Sequence, residues 1–147
     1  MKIEMTPSTE DYLETIYRLD KGQGVRSIDV AKIMNVSKPS VNRAIKTLIS
    51  HDYVSQKPYQ NVILTDKGRE KAQELNMRYS ILKGFLIHVL GVPTERAEKE
   101  ANFMEHGMSA DTIDRIGYLM RDYSLRESES KFKAAQSESI ETGKTKI

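Results

Sequence analysis

Apolar residues recur every three or four positions over most of this chain, and the places where that rhythm breaks mark where helices stop. Tyr12, Leu13, Ile16, Tyr17 and Leu19 form one broad stripe, which predicts an amphipathic helix through "STEDYLETIYRLD" that ends before "KGQG". Ser8, followed by Asp11 three residues later, reads as its capping box. A short helix "IDVAKIM" follows, with Ser27 as its cap and Val30, Ala31 and Met34 pointing inward. A third helix starts from Ser37, with Pro39 in the first turn where a missing N–H costs nothing. Its buried face is Val41, Ala44, Ile45 and Leu48, and Val36 plugs the corner between the second and third helices. The period then changes. "YVSQKPYQNVILT" holds two β-prone runs separated by "PYQN", which predicts a small hairpin.

Helical spacing returns from Thr65, the cap of a long fourth helix, to about Val89, where Gly91 and Pro93 are its stop signals. A fifth helix is predicted from about Thr94 to Gly107, and a sixth from its cap Ser109 through "ADTIDRIGYLMRDY". Ile113, Ile116, Met120 and Tyr123 repeat at helical spacing in that last helix, so it needs an apolar partner. Helices four to six are too small for an independent globule, so those four residues are the expected dimerisation contacts. From about residue 126 the chain is polar and Ser-rich, which predicts a mostly disordered tail. The fold class is mainly α: a winged helix-turn-helix over residues 1–72, an all-helical dimerisation domain over 73–125, and the tail over 126–147.

Composition narrows the function. With no cysteine, disulfides, thiolate metal sites and cysteine nucleophiles are excluded. No run of about 18 apolar residues appears and "MKIEMTPSTED" lacks a hydrophobic signal core, so a cytoplasmic protein with no membrane partner is expected. No phosphate loop or hydrolase motif is present, and the three histidines are far apart, which argues against an enzyme. The net charge of +2 is uninformative, but its distribution is not. Between Val30 and His51 the charged residues are Lys32, Lys38, Arg43 and Lys46, with no acid among them. On a third helix of a winged fold this is the footprint expected of duplex DNA. A winged-helix protein-interaction module is the alternative.

One polar face stays open on sequence grounds. In "EKEANFMEHGMS", Glu98, Asn102, Glu105 and His106 share one side at helical spacing, opposite Ala97, Ala101, Met104 and Met108. That side is either wetted by solvent or holds a cation.

The blocks "STEDYLETIYRL", "VSKPSVNRAIKTL", "ILTDKG", "FL..VLGV" and "EHGMSADTIDRIG", in this order, resemble the diphtheria-toxin-repressor family of metal-dependent transcription regulators, especially its manganese-responsive branch. The resemblance implies a homodimer that binds a palindromic operator in double-stranded DNA under control of a divalent metal ion, Mn²⁺ or Fe²⁺. Longer members add an SH3-like domain, for which this chain has too few residues. The family's acidic pair on the first helix matches Asp11 and Glu14, and its Glu-His pair on the fifth matches Glu105 and His106. Tyr79 stands where the family has a histidine, and Asn102 where the manganese branch has a glutamate; Lys83 follows one turn after Tyr79. Asn102, through its carbonyl, and Glu98 are therefore ancillary ligand candidates, while Lys83 is able to replace an ion by pairing with Glu14, Glu98 or Glu105. A regulator of the same fold that has lost metal control is the corresponding alternative. For DNA, Asn42 and Arg43 are expected at base edges, Ser40 at a base or phosphate, Lys38 and Lys46 at phosphates beside Pro39, and Lys57 and Tyr59 in the wing. Tyr12, Tyr17, Leu48 and Ile63 are assigned to the core.

Overall fold

The computed structural model describes residues 2–144 and divides into two units between Arg78 and Tyr79. The first unit opens with α1, Pro7–Leu19. Its cap is Thr6, whose hydroxyl accepts the Thr9 N–H at 3.2 Å, rather than the expected Ser8. Pro7 explains the shift: at the first helical position it gives up an N–H that would have no helical partner. The second helix, α2 (Ser27–Met34), likewise begins one residue before expectation. Ser27 is helical, and Arg26 occupies the cap position without a side-chain cap, paired instead with Asp29 at 2.9 Å.

Between α2 and α3 (Lys38–Ser50) the chain turns on Asn35, held left-handed at φ 52°. Asparagine tolerates this conformation better than most residues with a Cβ. Val36 donates its N–H to Ala31 O at 3.1 Å and packs partly buried at the corner. Ser37 then caps α3 through the Ser40 N–H. Val41, Ala44, Ile45 and Leu48 are buried as expected, against Leu13 and Ile16 of α1 and Val30 of α2 in one core.

The hairpin is β1 (Val54–Ser55) against β2 (Ile63–Leu64), antiparallel with Val54 opposite Leu64. Val25, which no pattern marked as extended, adds a bridge to Val62 through a reciprocal pair of 2.8 Å hydrogen bonds. Ile63 is exposed, a correction to its core assignment: alternation along so short a strand buries Leu64 and turns its neighbour outward. The fourth helix, α4 (Asp66–Gly84), is capped by Thr65, which accepts the Gly68 N–H at 2.9 Å. Gly68 has a packing reason as well. A Cβ there would collide with the backbone carbonyl of Tyr53.

The second unit takes up α4 from Tyr79 and continues through one wide turn at Phe85–Val89, where Leu90 N–H bonds to Phe85 O five residues back. Gly91, at φ +68°, and Pro93 end it as expected. Next come α5 (Thr94–Gly107) and α6 (Ala110–Lys144). Leu82, Leu86, Ala97, Ala101 and Ile113 form this unit's core.

The disordered tail is a second correction, because α6 runs on to Lys144 as a single helix. No Gly or Pro interrupts residues 118–142. Glu127 pairs with Lys131 one turn away at 3.0 Å. The serines do not break the helix because Ser128 and Ser139 donate to the carbonyls of Ser124 and Ala135, one turn back. Low apolar content predicts a segment without a core, but a helix closes its backbone hydrogen bonds locally. No helix among the described residues is long and apolar enough to cross a membrane.

Candidate functional site

The exposed face of α3 carries Lys38, Pro39, Asn42, Arg43 and Lys46, all exposed, with Ser40 half-buried at its foot. The core stripe fixes that outward direction, since positions 41, 44, 45 and 48 point the other way. Ser40 has a local duty. Its hydroxyl lies 2.8 Å from Ser37 Oγ and accepts from Arg43 Nη2 at 3.2 Å, so it links the helix cap to the guanidinium. Ser40, expected at a base or phosphate, is thus hydrogen-bonded to Arg43 within its own helix.

In the wing, Lys57 is exposed and accepts the Gln60 N–H on its carbonyl at 3.1 Å, closing a tight turn. Tyr59 sits inside that turn at φ 60°, its ring fully in solvent. A bulky residue in the left-handed region is strained, so this turn is set by its surroundings. Gln56, overlooked in the sequence, supplies part of the constraint by donating to Gln60 O at 3.0 Å. The signal was present: an amide side chain four residues before a turn carbonyl.

In the first unit, Asp11 and Glu14 lie three residues apart on α1, both half-buried. In the second, Glu105 is 1% exposed and falls in the buried row Ala97, Ala101, Glu105, one residue every helical turn. This revises the face division read from sequence, which had placed Glu105 with the exposed Glu98 and Asn102. The imidazole Nε2 of His106 lies 3.6 Å from Glu105 Oε1. An ionised carboxylate this deep is stabilised by hydrogen bonds or by nearby positive charge, which a metal ion is able to supply. Carboxylate oxygens with an imidazole are also the donor set that hard and borderline divalent cations favour.

Glu98 belongs to a different arrangement. It accepts from Lys83 Nζ at 2.9 Å, and Lys83 in turn sits 5.9 Å from the centre of the Tyr79 ring. The hydrogen bond that Lys83 donates to Glu98 is the main reason its ammonium is held above its ordinary pKa. Lys83 thus forms an ion pair with Glu98, so Glu98 is engaged by a protein cation.

One expected dimerisation residue, Ile113, is corrected in the same unit. Ile113 is 1% exposed inside its own chain's core, and Ile116 packs partly buried against that core. Met120 turns toward α4: its Cε lies 3.4 Å from where a Cβ on Gly84 would stand. Tyr123 alone of the four is exposed. Helical spacing finds an apolar stripe but does not say whether the same chain or a copy covers it. The large apolar groups that do face outward include Phe103, Tyr118, Leu119 and Leu125.

Residues 4–62 match the family "Iron dependent repressor, N-terminal DNA binding domain", and residues 65–126 match "Iron dependent repressor, metal binding and dimerisation domain". The chain is similar to the HTH-type transcriptional regulator MntR of Bacillus velezensis, 35% identical over 127 residues that cover 86% of this chain and 89% of the relative. The MntR of Bacillus subtilis is 33% identical with the same coverage. Among solved structures, the manganese regulator SloR is 30% identical with a TM-score of 0.70, covering 80% of this chain and 55% of that one. The metal-dependent transcriptional regulator MtsR is 34% identical with a TM-score of 0.71 and the same coverage. The chain thus spans just over half the length of these two solved relatives.

Proposed function

The chain belongs to the iron-dependent repressor family of DNA-binding regulators, and from that premise we propose that it is a homodimeric, metal-responsive transcription regulator of metal-ion homeostasis genes. It reads a palindromic operator through α3 and works where the DNA is, in the cytoplasm. The family is one of regulators, not enzymes. The observation that carries this reading is the acid-free face of α3, with Asn42 and Arg43 outward between Lys38 and Lys46. An amide pairs bidentately with adenine and a guanidinium with guanine, while the flanking ammonium groups neutralise phosphates. The wing residues Lys57 and Tyr59 extend the contact to the neighbouring backbone.

Control comes from a divalent cation, Mn²⁺ or Fe²⁺, for which the family's ligand positions are Asp11 and Glu14 of the first unit and Glu105 and His106 of the second. Asn102 supports the site through its carbonyl. When bound, the cation supplies the positive charge that three carboxylates need. Because the four residues are divided between the DNA-binding and dimerisation units, their joint ligation couples metal occupancy to the spacing of the two α3 helices in the dimer. Half-sites about 34 Å apart reward only one spacing. A coupling of this kind is worth about 1–3 kcal/mol. With Tyr79 and Asn102 in place of two further family ligands, and Glu98 tied to Lys83, the site holds one cation per chain.

The experiment is a titration of chelator-treated protein with Mn²⁺ and Fe²⁺ by calorimetry, alongside selection of a bound sequence from random duplex DNA with and without metal. One ion per chain and tighter sequence-selective binding with metal are the expected results. Selective DNA binding that ignores both ions and is unchanged in Asp11→Ala and His106→Ala would leave a regulator without metal control. Absence of salt-dependent duplex binding would leave a protein-interaction module.

A further inference from the structure

The family's dimerisation domain accounts for the chain only to residue 126, yet α6 continues for five more turns. Every residue from 121 to 140 is exposed. A helix of that length with so many serines is marginal in water by itself, because its propensity is weak and its nucleation unfavourable. Packing on another surface is the usual source of the missing stability.

The side chains of this extension are not uniformly polar. Tyr118, Leu125, Phe132 and Ile140 are spaced by seven, seven and eight residues, and are 67%, 64%, 65% and 61% exposed. At 3.6 residues per turn the four fall within an arc of about 80°, roughly opposite the side from which Ile113 and Met120 pack into their own unit. Ser128, Ala135 and Ser139 lie along one edge of this row, small enough for a second helix to come close. Residues 127–144 carry four acids and three lysines, so two copies of the segment bear almost no net charge against each other.

We propose that this end of α6 binds the corresponding segment of a second copy of the chain through Tyr118, Leu125, Phe132 and Ile140, lengthening the homodimer proposed above beyond the family's shared dimerisation domain. The second copy is the occupant that the placement favours. The row begins inside the matched dimerisation domain and runs without a break into the extension, so a parallel pairing of α6 with its counterpart carries the row along. An extended apolar line with small residues beside it fits a helix, and near neutrality fits an identical one.

The test is sedimentation of the full-length chain across concentrations, with far-UV circular dichroism to confirm that variants stay helical. Phe132→Glu combined with Ile140→Glu should raise the dimer dissociation constant about tenfold or more, and the gentler Phe132→Ala should raise it in the same direction. Ser130→Glu with Ala134→Glu, on the opposite side of the helix, should leave it within about twofold. A wild-type dimer whose affinity ignores both Phe132 variants overturns the extension while leaving the dimer standing. A wild-type chain that is monomeric at every concentration overturns the dimer and the extension together.

Discussion

The ammonium of Lys83 stands 2.9 Å from the carboxylate of Glu98, joining α4 to α5 on the face where a metal-ligand set had to be distinguished from a protein ion pair. An acid held by a neighbouring lysine is a poor ligand, because taking up a metal requires the ammonium to be displaced into water. The consequences of that pairing are measurable.

Glu98→Ala should leave Mn²⁺ stoichiometry at one per chain and lower affinity no more than about twofold, as expected of a half-exposed acid outside the ligand set. Glu105→Ala should abolish binding. Calorimetry on the two variants separates them. Loss of the ion in Glu98→Ala would return Glu98 to the first rank of ligands and make Lys83 a competitor of the metal.

Arg43→Ala should cost about 1–3 kcal/mol on the selected sequence and relax preference at one base pair. Lys46→Ala should weaken all sequences alike and reduce the salt slope by about one. Ser40→Ala gives a finer discrimination. It releases the guanidinium without removing it, so it should reproduce a fraction of the Arg43→Ala loss, and the double variant should lose less than the sum. Fluorescence anisotropy with matched and scrambled duplexes reads all four.

Gly68→Ala should destabilise the first unit by about 2–3 kcal/mol, since the added methyl meets the Tyr53 carbonyl and the helix must shift. Gly107→Ala is the control, because a Cβ there meets nothing within 4 Å. Urea unfolding of the two variants gives the difference directly. Equal midpoints would mean that the start of α4 moves without cost.

Acid should loosen the first unit through Asp20. Burial, the largest influence on its carboxyl, pushes its pKa up, but the Gly22 amide, the Arg69 guanidinium and the Gly24 amide together bring it below the ordinary carboxylate value. A lowered native pKa means the stabilisation is complete above the unfolded value near pH 4 and is lost as pH falls through the lower native one. Asp20→Asn should therefore flatten the stability profile below about pH 4 and lower stability at neutral pH. Thermal melts from pH 2 to 7 follow both; a variant profile parallel to wild type throughout would clear Asp20 of the acid response.

Tyr59→Ala should leave the melting temperature within about 2 °C, because the ring touches solvent and surface substitutions seldom exceed about 0.5 kcal/mol. Operator affinity should nevertheless fall. Unchanged affinity would remove the wing tip from the interface.

The apolar spacing, the Ser37 cap with Pro39, the Gly91 and Pro93 stop and the change of period at the hairpin sufficed to define the three helices, the wing and the bounds of α5. So did the acid-free face of α3. All of these are set by residues within a turn or two of one another. What needed the tertiary structure was every choice among distant or competing partners. Thr6 rather than Ser8 caps α1 once Pro7 is seated, and Lys83 of α4 pairs with Glu98 of α5. Val25 becomes extended only because Val62 is there to pair with it. Glu105 shares the buried row of Ala97 and Ala101 although its charge suggests the opposite face. Ile113 and Met120 spend their apolar surface inside their own unit, and the polar serines of α6 follow a helix whose hydrogen bonds close without a core. A sequence fixes local geometry through short-range sterics and hydrogen bonding, whereas burial and ion pairing depend on which surfaces the folded chain brings within a few ångströms.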